Sequence, residues 1–404
     1  METDCTSNDA VAPAKLSPLP RGTRLLHIGP HKTGTTAIQG ALFGAKEKLP
    51  AYGVEFPAHS RHPMQAVLAA CSRTGMIGDT RPTERHWTRL VEQVHATGRR
   101  TCVISSEFFA DAPDDATIER IVEQLGGEPV HVLVTVRPLG KIMPSQWQQY
   151  VQNGLRMGYE EWLEHMLRKA PYEKPTPSFW RRHRHDRLVE RWVRAVGAER
   201  VTVVVVDDRD RGGLMRTFEA LLGLPRNLLQ PVPDTANRSL TLAEAEMLRS
   251  LNKEFRSNGL PDELYSKLVR NGAVFHMKNI CSPTTRDVKI STPGWAVEAA
   301  AEIGAETASR IELTGVRVIG DPGLLSAAPE PAAKRAGERV EERAQEWAGE
   351  ARIAPEVAAH ALYGALAAVA AGPGGASARP VHQTSSKELV RVLGHRCLKR
   401  LRRR

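Results

Sequence analysis

The apolar positions of this chain fall into short unbroken runs, separated by longer stretches in which apolar residues recur every three or four positions. The runs are 24–29, 101–105, 130–136 and 201–206, rich in β-branched residues and bounded by turn formers, such as Gly126-Gly127 before the third and Pro138 after it. Runs of this kind predict strands buried on both faces, the habit of a parallel sheet. The stretches between them predict helices, among them 159–169, 186–196, 213–222 and 241–256, the last opened by Thr241 and Glu244 in capping-box spacing. Strands alternating with helices need crossovers that cover both faces of the sheet. The expected fold is therefore α/β, a three-layer αβα architecture around a central parallel sheet.

The 404 residues are enough for one large domain and appendages. Residues 1–20, polar and Pro-containing, are expected to be disordered and lack the apolar core of a signal peptide. The α/β domain is expected over 21–325, and 326–404 is expected to be an Ala/Arg-rich helical extension with a basic C-terminal tail. Helices are predicted there at 334–350 and 355–371, then a break at Gly372-Pro373-Gly374-Gly375 and a final helix behind Ser385 and Glu388. In that last segment Leu389, Leu393, Cys397 and Leu401 recur every four residues.

Charge changes the picture only at this end. The formal net charge is +10, and between Lys387 and Arg404 eight basic residues stand against the single acid Glu388, which accounts for +7. The remainder does not call for a nucleic-acid partner. The tail suits peripheral contact with an anionic membrane surface, docking on the core or a partner, or plain solvation. Five scattered cysteines without a C-x-x-C pair argue against a zinc site or a disulfide framework and for reduced thiols, hence a cytoplasmic protein. The abundance of Ala, Arg, Gly and Pro suggests a GC-rich bacterial source.

Candidate chemistry begins where the first strand ends. Leu25-Leu26-His27-Ile28 runs into Gly29-Pro30-His31-Lys32-Thr33-Gly34-Thr35-Thr36 and then into a helical pattern from Ala37. Backbone N–H groups at a helix N-terminus favour an anion, glycine lets it approach, and Lys32 adds a full positive charge. Gly29 and Gly34 keep the gap of the nucleotide triphosphatase loop G-x-x-x-x-G-K-[ST], but Thr35 stands where the lysine belongs and Lys32 lies inside the gap. Asp207, after the fourth strand, is accordingly expected with Asp208 to cap or turn the chain rather than to bind magnesium.

Two further strand ends carry reactive groups. The third strand stops at Arg137, Pro138 starts a helix and Ser145 lies on that helix, so a guanidinium fork and a hydroxyl can meet a phosphate monoester beyond the sheet's carboxyl edge. The second strand stops beside Glu107, flanked by Phe108 and Phe109. Glu107, His62 and His31 are the candidate proton acceptors. No clustered His/Cys pattern suggests a metal. Arg181-Arg182-His183-Arg184-His185 reads as a solvated basic helix start, with attraction of an acidic acceptor as the other reading.

The order K-T-G-T-T resembles the 5′-phosphosulfate loop of sulfotransferases that use 3′-phosphoadenosine 5′-phosphosulfate (PAPS). Arg137 and Ser145 resemble the 3′-phosphate site of the same family. Val201–Asp208 with the helix ending in Leu222-Gly223-Leu224-Pro225, the segment Ala236–Leu240 and the closing Gly315–Pro322 extend the resemblance over about residues 24 to 325. It implies a P-loop-like sulfotransferase fold and a bacterial enzyme that moves a sulfuryl group from PAPS, without a metal, to a hydroxyl or amine. The acceptor would be a glycan, a glycolipid or a small natural product. Under this resemblance His31, Lys32, Thr33, Gly34, Thr35 and Thr36 hold the 5′ end of the donor, and Lys32 meets the charge on the departing oxygen. The family uses either a glutamate or a histidine as base, so Glu107 and His62 stay open. The competing readings are a P-loop kinase binding ATP–Mg and a non-catalytic anion- or membrane-binding protein.

Overall fold

A computed structural model describes residues 16–327, apart from 77–78, 80, 170–175, 233–237 and 284–287, and beyond them 353 and 355–370. Six strands form one all-parallel sheet: β1 (Arg24–Ile28), β2 (Val54–Glu55), β3 (Thr101–Ser105), β4 (Val130–Val136), β5 (Val201–Val205) and β6 (Arg317–Ile319), in the order β2-β3-β1-β4-β5-β6. The expected α/β three-layer architecture is the observed one. β1 lies inside, with Leu26 opposite Ile104 of β3 on one side and Val132 of β4 on the other. The chain leaves β1 toward one edge and later crosses to the other, so the carboxyl ends of β3, β1 and β4 flank a crevice.

Alternation along the strands separates the two faces. Leu25, Val103, Leu133 and Val204 pack against Ile38 and Leu42 of α1 (Thr35–Ala45) and against Phe218. Leu26, Ile104, Val132 and Val203 pack on the other face against helical residues such as Leu90, Ile118 and Trp192. The helices up to this point are α1, α2 (Met64–Ala70), α3 (Glu84–Ala96), α4 (Asp115–Gln124), α5 (Leu139–Gln152), α6 (Tyr159–Leu163), α7 (Ser178–His183), α8 (His185–Val196) and α9 (Gly213–Leu222).

A third, all-helical core gathers Trp147, Trp162, Phe179, Leu248, Tyr265 and Met277. It joins α5 to α7 with α10 (Leu242–Ser257), α11 (Asp262–Leu264), a π-helical stretch Tyr265–Val274, α12 (Phe275–Ile280) and α13 (Gly294–Leu313), and α14 (Pro355–Ala370) packs on the π-helical stretch. The capping box of α10 forms as its sequence requires: the Glu244 N–H donates to Thr241 Oγ1 at 3.2 Å and the Thr241 N–H to the Glu244 carboxylate at 2.9 Å.

Three differences from the sequence reading have simple causes. β2 and β6, at the two sheet edges, have two and three residues, too few to display any period. The stretch 159–169 breaks into α6 and a π-helical turn, Glu164–Arg168. α13 was not foreseen because its buried positions are small, Ala296, Ala300, Gly304 and Thr307 before Ile311. A Cβ on Gly304 would lie 2.0 Å from the Leu325 carbonyl oxygen, so this helix admits the chain's closing segment only at glycine. The predicted helix at 355–371 is α14. Of the residues 1–20 expected to be disordered, 16–20 are ordered against the domain, the Leu19 N–H donating to the Leu221 carbonyl at 2.8 Å. Residues 1–15, the helix predicted at 334–350 and the final basic helix lie outside the described residues.

Candidate active site

The loop between β1 and α1 is fixed from beneath. His27 of β1 is fully buried, with Nδ1 2.8 Å from Ser105 Oγ of β3 and Nε2 3.3 Å from Thr135 Oγ1 of β4. Burial lowers its pKa to about 3, so it stays neutral and joins three strands by hydrogen bonds alone. Thr135 Oγ1 lies in turn 2.8 Å from Thr33 Oγ1, whose own proton goes to the Pro30 carbonyl at 2.7 Å.

Two threonine hydroxyls of the loop are engaged within the protein. Thr33 is wholly buried and faces the sheet. The Thr35 hydroxyl donates to the Gly29 carbonyl at 2.7 Å and closes the loop on itself. The backbone of the loop is open to an anion. Lys32 and Gly34 both have positive φ, 72° and 94°, and the N–H groups of Thr35 and Thr36 open α1, where no helical carbonyl can take them. Gly29 is required by space: a Cβ there would lie 1.9 Å from Thr35 Oγ1. Gly29→Ala is expected to cost about 1–3 kcal/mol of stability, read by thermal melting. A wild-type melting temperature in that variant would show that the loop has room for the methyl group.

One cavity of about 570 Å³ opens over this loop. Its lining includes His31, Lys32, Gly34, Thr35 and Thr36 of the loop, Glu107 after β3, and Arg137 and Ser145 after β4. The volume is that of an ordinary cofactor site. Arg137 leaves the end of β4, donates through Nη1 to the Lys32 carbonyl at 3.2 Å and holds Asp208 Oδ2 through Nε and Nη2 at 3.1 and 2.6 Å. Asp208 is thus the partner of Arg137, which its sequence position did not reveal. Asp207 makes the expected turn, accepting from the Arg209 N–H at 2.9 Å. Ser145 donates to Ile142 O at 3.1 Å and begins a polar stripe on α5 with Gln148, Gln149 and Gln152.

The rest of the lining had no role assigned from the sequence. Arg238 and Ser239 reach it from the segment before α10, tied by the Leu240 N–H to Gln148 Oε1 at 2.8 Å, and Arg270, Asn271, Val274 and Lys278 come from the π-helical stretch and α12. Arg238 holds both Glu244 oxygens, at 2.7 and 2.8 Å. Lys32, Arg137, Arg238, Arg270 and Lys278 therefore face a cavity whose lining has Glu107 as its carboxylate. Burial lowers the Lys32 pKa to about 8, Lys278 adding to the effect and Glu107 opposing it.

The two alternative bases turn out to be neighbours. Glu107 opens the 3-10 turn Glu107–Asp111, and its Oε2 lies 3.3 Å from Gln39 Nε2 and 3.4 Å from His62 Nε2. His62 stands behind it, off the cavity wall, stacked on Phe108 with ring centroids 5.6 Å apart and bonded to Ser106 Oγ at 2.9 Å. Its pKa is lowered by burial, against the raising effect of Glu107. His31, edge-on to Phe108, is held far below its usual pKa by burial and by the charge of Arg182, and its Nε2 has no protein partner.

The basic run 181–185 is not a solvated helix start. His183 and His185 are buried, and Arg182 binds both oxygens of buried Asp111 at 2.7 and 2.6 Å, bracing the far end of the turn that Glu107 begins. The pairing of one basic side chain with one distant acid leaves no periodic trace in sequence. Among the described residues no group of three or more His, Cys, Asp or Glu could hold a metal ion, and no helix is long and apolar enough to cross a membrane.

No family model matches the chain, and no curated protein matches it. Among solved structures it is similar to a crystal structure of a sulfotransferase from Alicyclobacillus acidocaldarius, with 18% identity and a TM-score of 0.37 over 58% of this chain and 92% of that one.

Proposed function

We propose that this protein is a sulfotransferase that moves a sulfuryl group from PAPS to a hydroxyl or amine. The observation that carries the reading is the convergence, on one cavity, of the loop lysine, the strand-end arginine with its helical serine, and a carboxylate. Each alone is an ordinary feature; together they match a donor with a phosphate at either end and an acceptor that must lose a proton.

In this reading the first amides of α1 hold the 5′-phosphate and Arg137 and Ser145 hold the 3′-phosphate. Arg137 already presents its fork to a planar carboxylate, Asp208, and a phosphate takes the same donors. The acceptor oxygen or nitrogen attacks sulfur as the bond from sulfur to the bridging oxygen breaks. Negative charge grows on that departing oxygen, and the Lys32 ammonium meets it. Glu107 takes the acceptor proton, with Gln39 and His62 fixing the carboxylate.

The test is a thermal-shift comparison. Adenosine 3′,5′-bisphosphate is expected to raise the melting temperature, with ATP–Mg giving less, since ATP lacks the 3′-phosphate that Arg137 and Ser145 would bind. A larger shift with ATP–Mg would favour a phosphotransferase, whose loop this sequence departs from at position 35.

A further inference from the structure

Three buried side chains close to the cavity carry polar atoms that have no hydrogen-bond partner among the described residues. They are His31 Nε2, both amide atoms of Gln146 and both ring nitrogens of His183, and the three residues are 6%, 0% and 2% exposed. Folded chains leave few buried polar atoms unpaired, since each has given up its water without a replacement. Several in one place call for a polar occupant.

The three side chains converge from three elements. His31 lies on the loop after β1 and lines the cavity. His183 ends α7, which packs on the Glu107–Asp111 turn and is tied to it by Arg182. Burial holds both imidazoles neutral. Beyond burial, the charges of Arg182 and His183 act on His31, and those of His185, Arg182 and Lys32 act on His183, so the two rings share one neighbourhood. Gln146 of α5 is three residues before Gln149, which lines the cavity, and four before Tyr150, whose hydroxyl lies 3.4 Å from Ser178 Oγ of α7. Helical spacing sets it beside both. The unpaired atoms therefore mark a polar region between the cavity and α7. Glu107 borders it, with its neighbour Phe108 edge-on to His31 at 5.3 Å between ring centroids.

The chemistry of this set is selective. A neutral imidazole carries one donor and one acceptor, and a primary amide carries two donors and an acceptor. A carboxylate or phosphate only accepts and an ammonium only donates, whereas a hydroxyl does both. We propose that His31, Gln146 and His183 form a subsite for the acceptor, and that it takes a neutral molecule with several hydroxyl groups, one of them standing at Glu107. Calling this molecule the acceptor rests on the proposed transfer; the preference for hydroxyls rests on the unpaired atoms alone.

The experiment is calorimetric titration of the full chain, with and without adenosine 3′,5′-bisphosphate, using myo-inositol and methyl α-glucoside as polyols and cyclohexanol as a ring with one hydroxyl. At least one polyol is expected to bind about tenfold more tightly than cyclohexanol. Gln146→Met keeps side-chain length and helix propensity while removing two unpaired polar atoms. It should weaken polyol binding about tenfold, leave cyclohexanol binding and the thermal shift with adenosine 3′,5′-bisphosphate unchanged, and raise the melting temperature of the unliganded protein. His183→Phe, which keeps a flat ring, is the second variant and should weaken polyol binding likewise. Neither polyol binding better than cyclohexanol, or polyol affinity unchanged in both variants, would overturn the proposal and leave ordered water as the occupant. Polyol binding that depends on Gln146 in a protein with no response to adenosine 3′,5′-bisphosphate would uphold the subsite and reject the transfer reading.

Discussion

Lys32→Ala is expected to lower the turnover number for sulfuryl transfer by about 10²–10³-fold, the usual cost of removing a group aimed at charge that develops in the transition state. Adenosine 3′,5′-bisphosphate should still bind, because the α1 amides, Arg137 and Ser145 are untouched by the substitution. Steady-state turnover and calorimetry on the same variant check the two halves separately. Near-normal turnover would remove Lys32 from the chemistry. The pH profile adds a sign. The Lys32 pKa is lowered from 10.5 to about 8 by burial and Lys278, against Glu107. A depressed lysine loses its proton as pH rises, so kcat/KM should fall above about pH 8. Bound phosphate favours the ammonium and moves the same limb of kcat upward. Whatever activity Lys32→Arg retains should be flat through that limb, since a guanidinium keeps its proton.

Glu107→Gln should cost about 10²–10⁴-fold in turnover, the range for loss of a general base, with little change in donor binding. The amide keeps the shape of the carboxylate, and one of its atoms can still meet Gln39 and His62, so the protein should melt near the wild-type temperature. His62→Gln should cost less, on the order of tenfold, by loosening the carboxylate it steadies. Equal losses in the two variants would make the histidine the proton acceptor. Transfer rates of the pair, measured with one hydroxylated acceptor, decide between them.

Much of the frame was legible because its signals are local. The runs 101–105 and 130–136 coincide with β3 and β4, and 213–222 coincides with α9, since unbroken apolar runs and a three-to-four period are direct images of burial. The loop was legible for the same reason, strand, glycines and helix standing next to each other in the chain. What sequence could not give was pairing across distance. Arg137 with Asp208, Arg182 with Asp111 and Glu107 with His62 are 71, 71 and 45 positions apart, and nothing in their neighbourhoods announces the partner. The part of the lining built by Arg270 and Lys278 stayed hidden likewise, because a basic residue on a helix reads as solvated until the fold shows what it faces, and the segment of Arg238 stood out without a role. The bonds of Thr33 and Thr35 were equally out of reach. In a loop this tight a short side chain that can satisfy a nearby carbonyl does so.

The hydrogen-bonded column of Thr33, Thr135, His27 and Ser105 contains no charge at neutral pH, and its imidazole titrates only near pH 3. The foundation of the loop is therefore insensitive to both salt and pH around neutrality. Its geometry is set during folding, so an anion bound there would order little chain and its association should carry a small conformational entropy penalty.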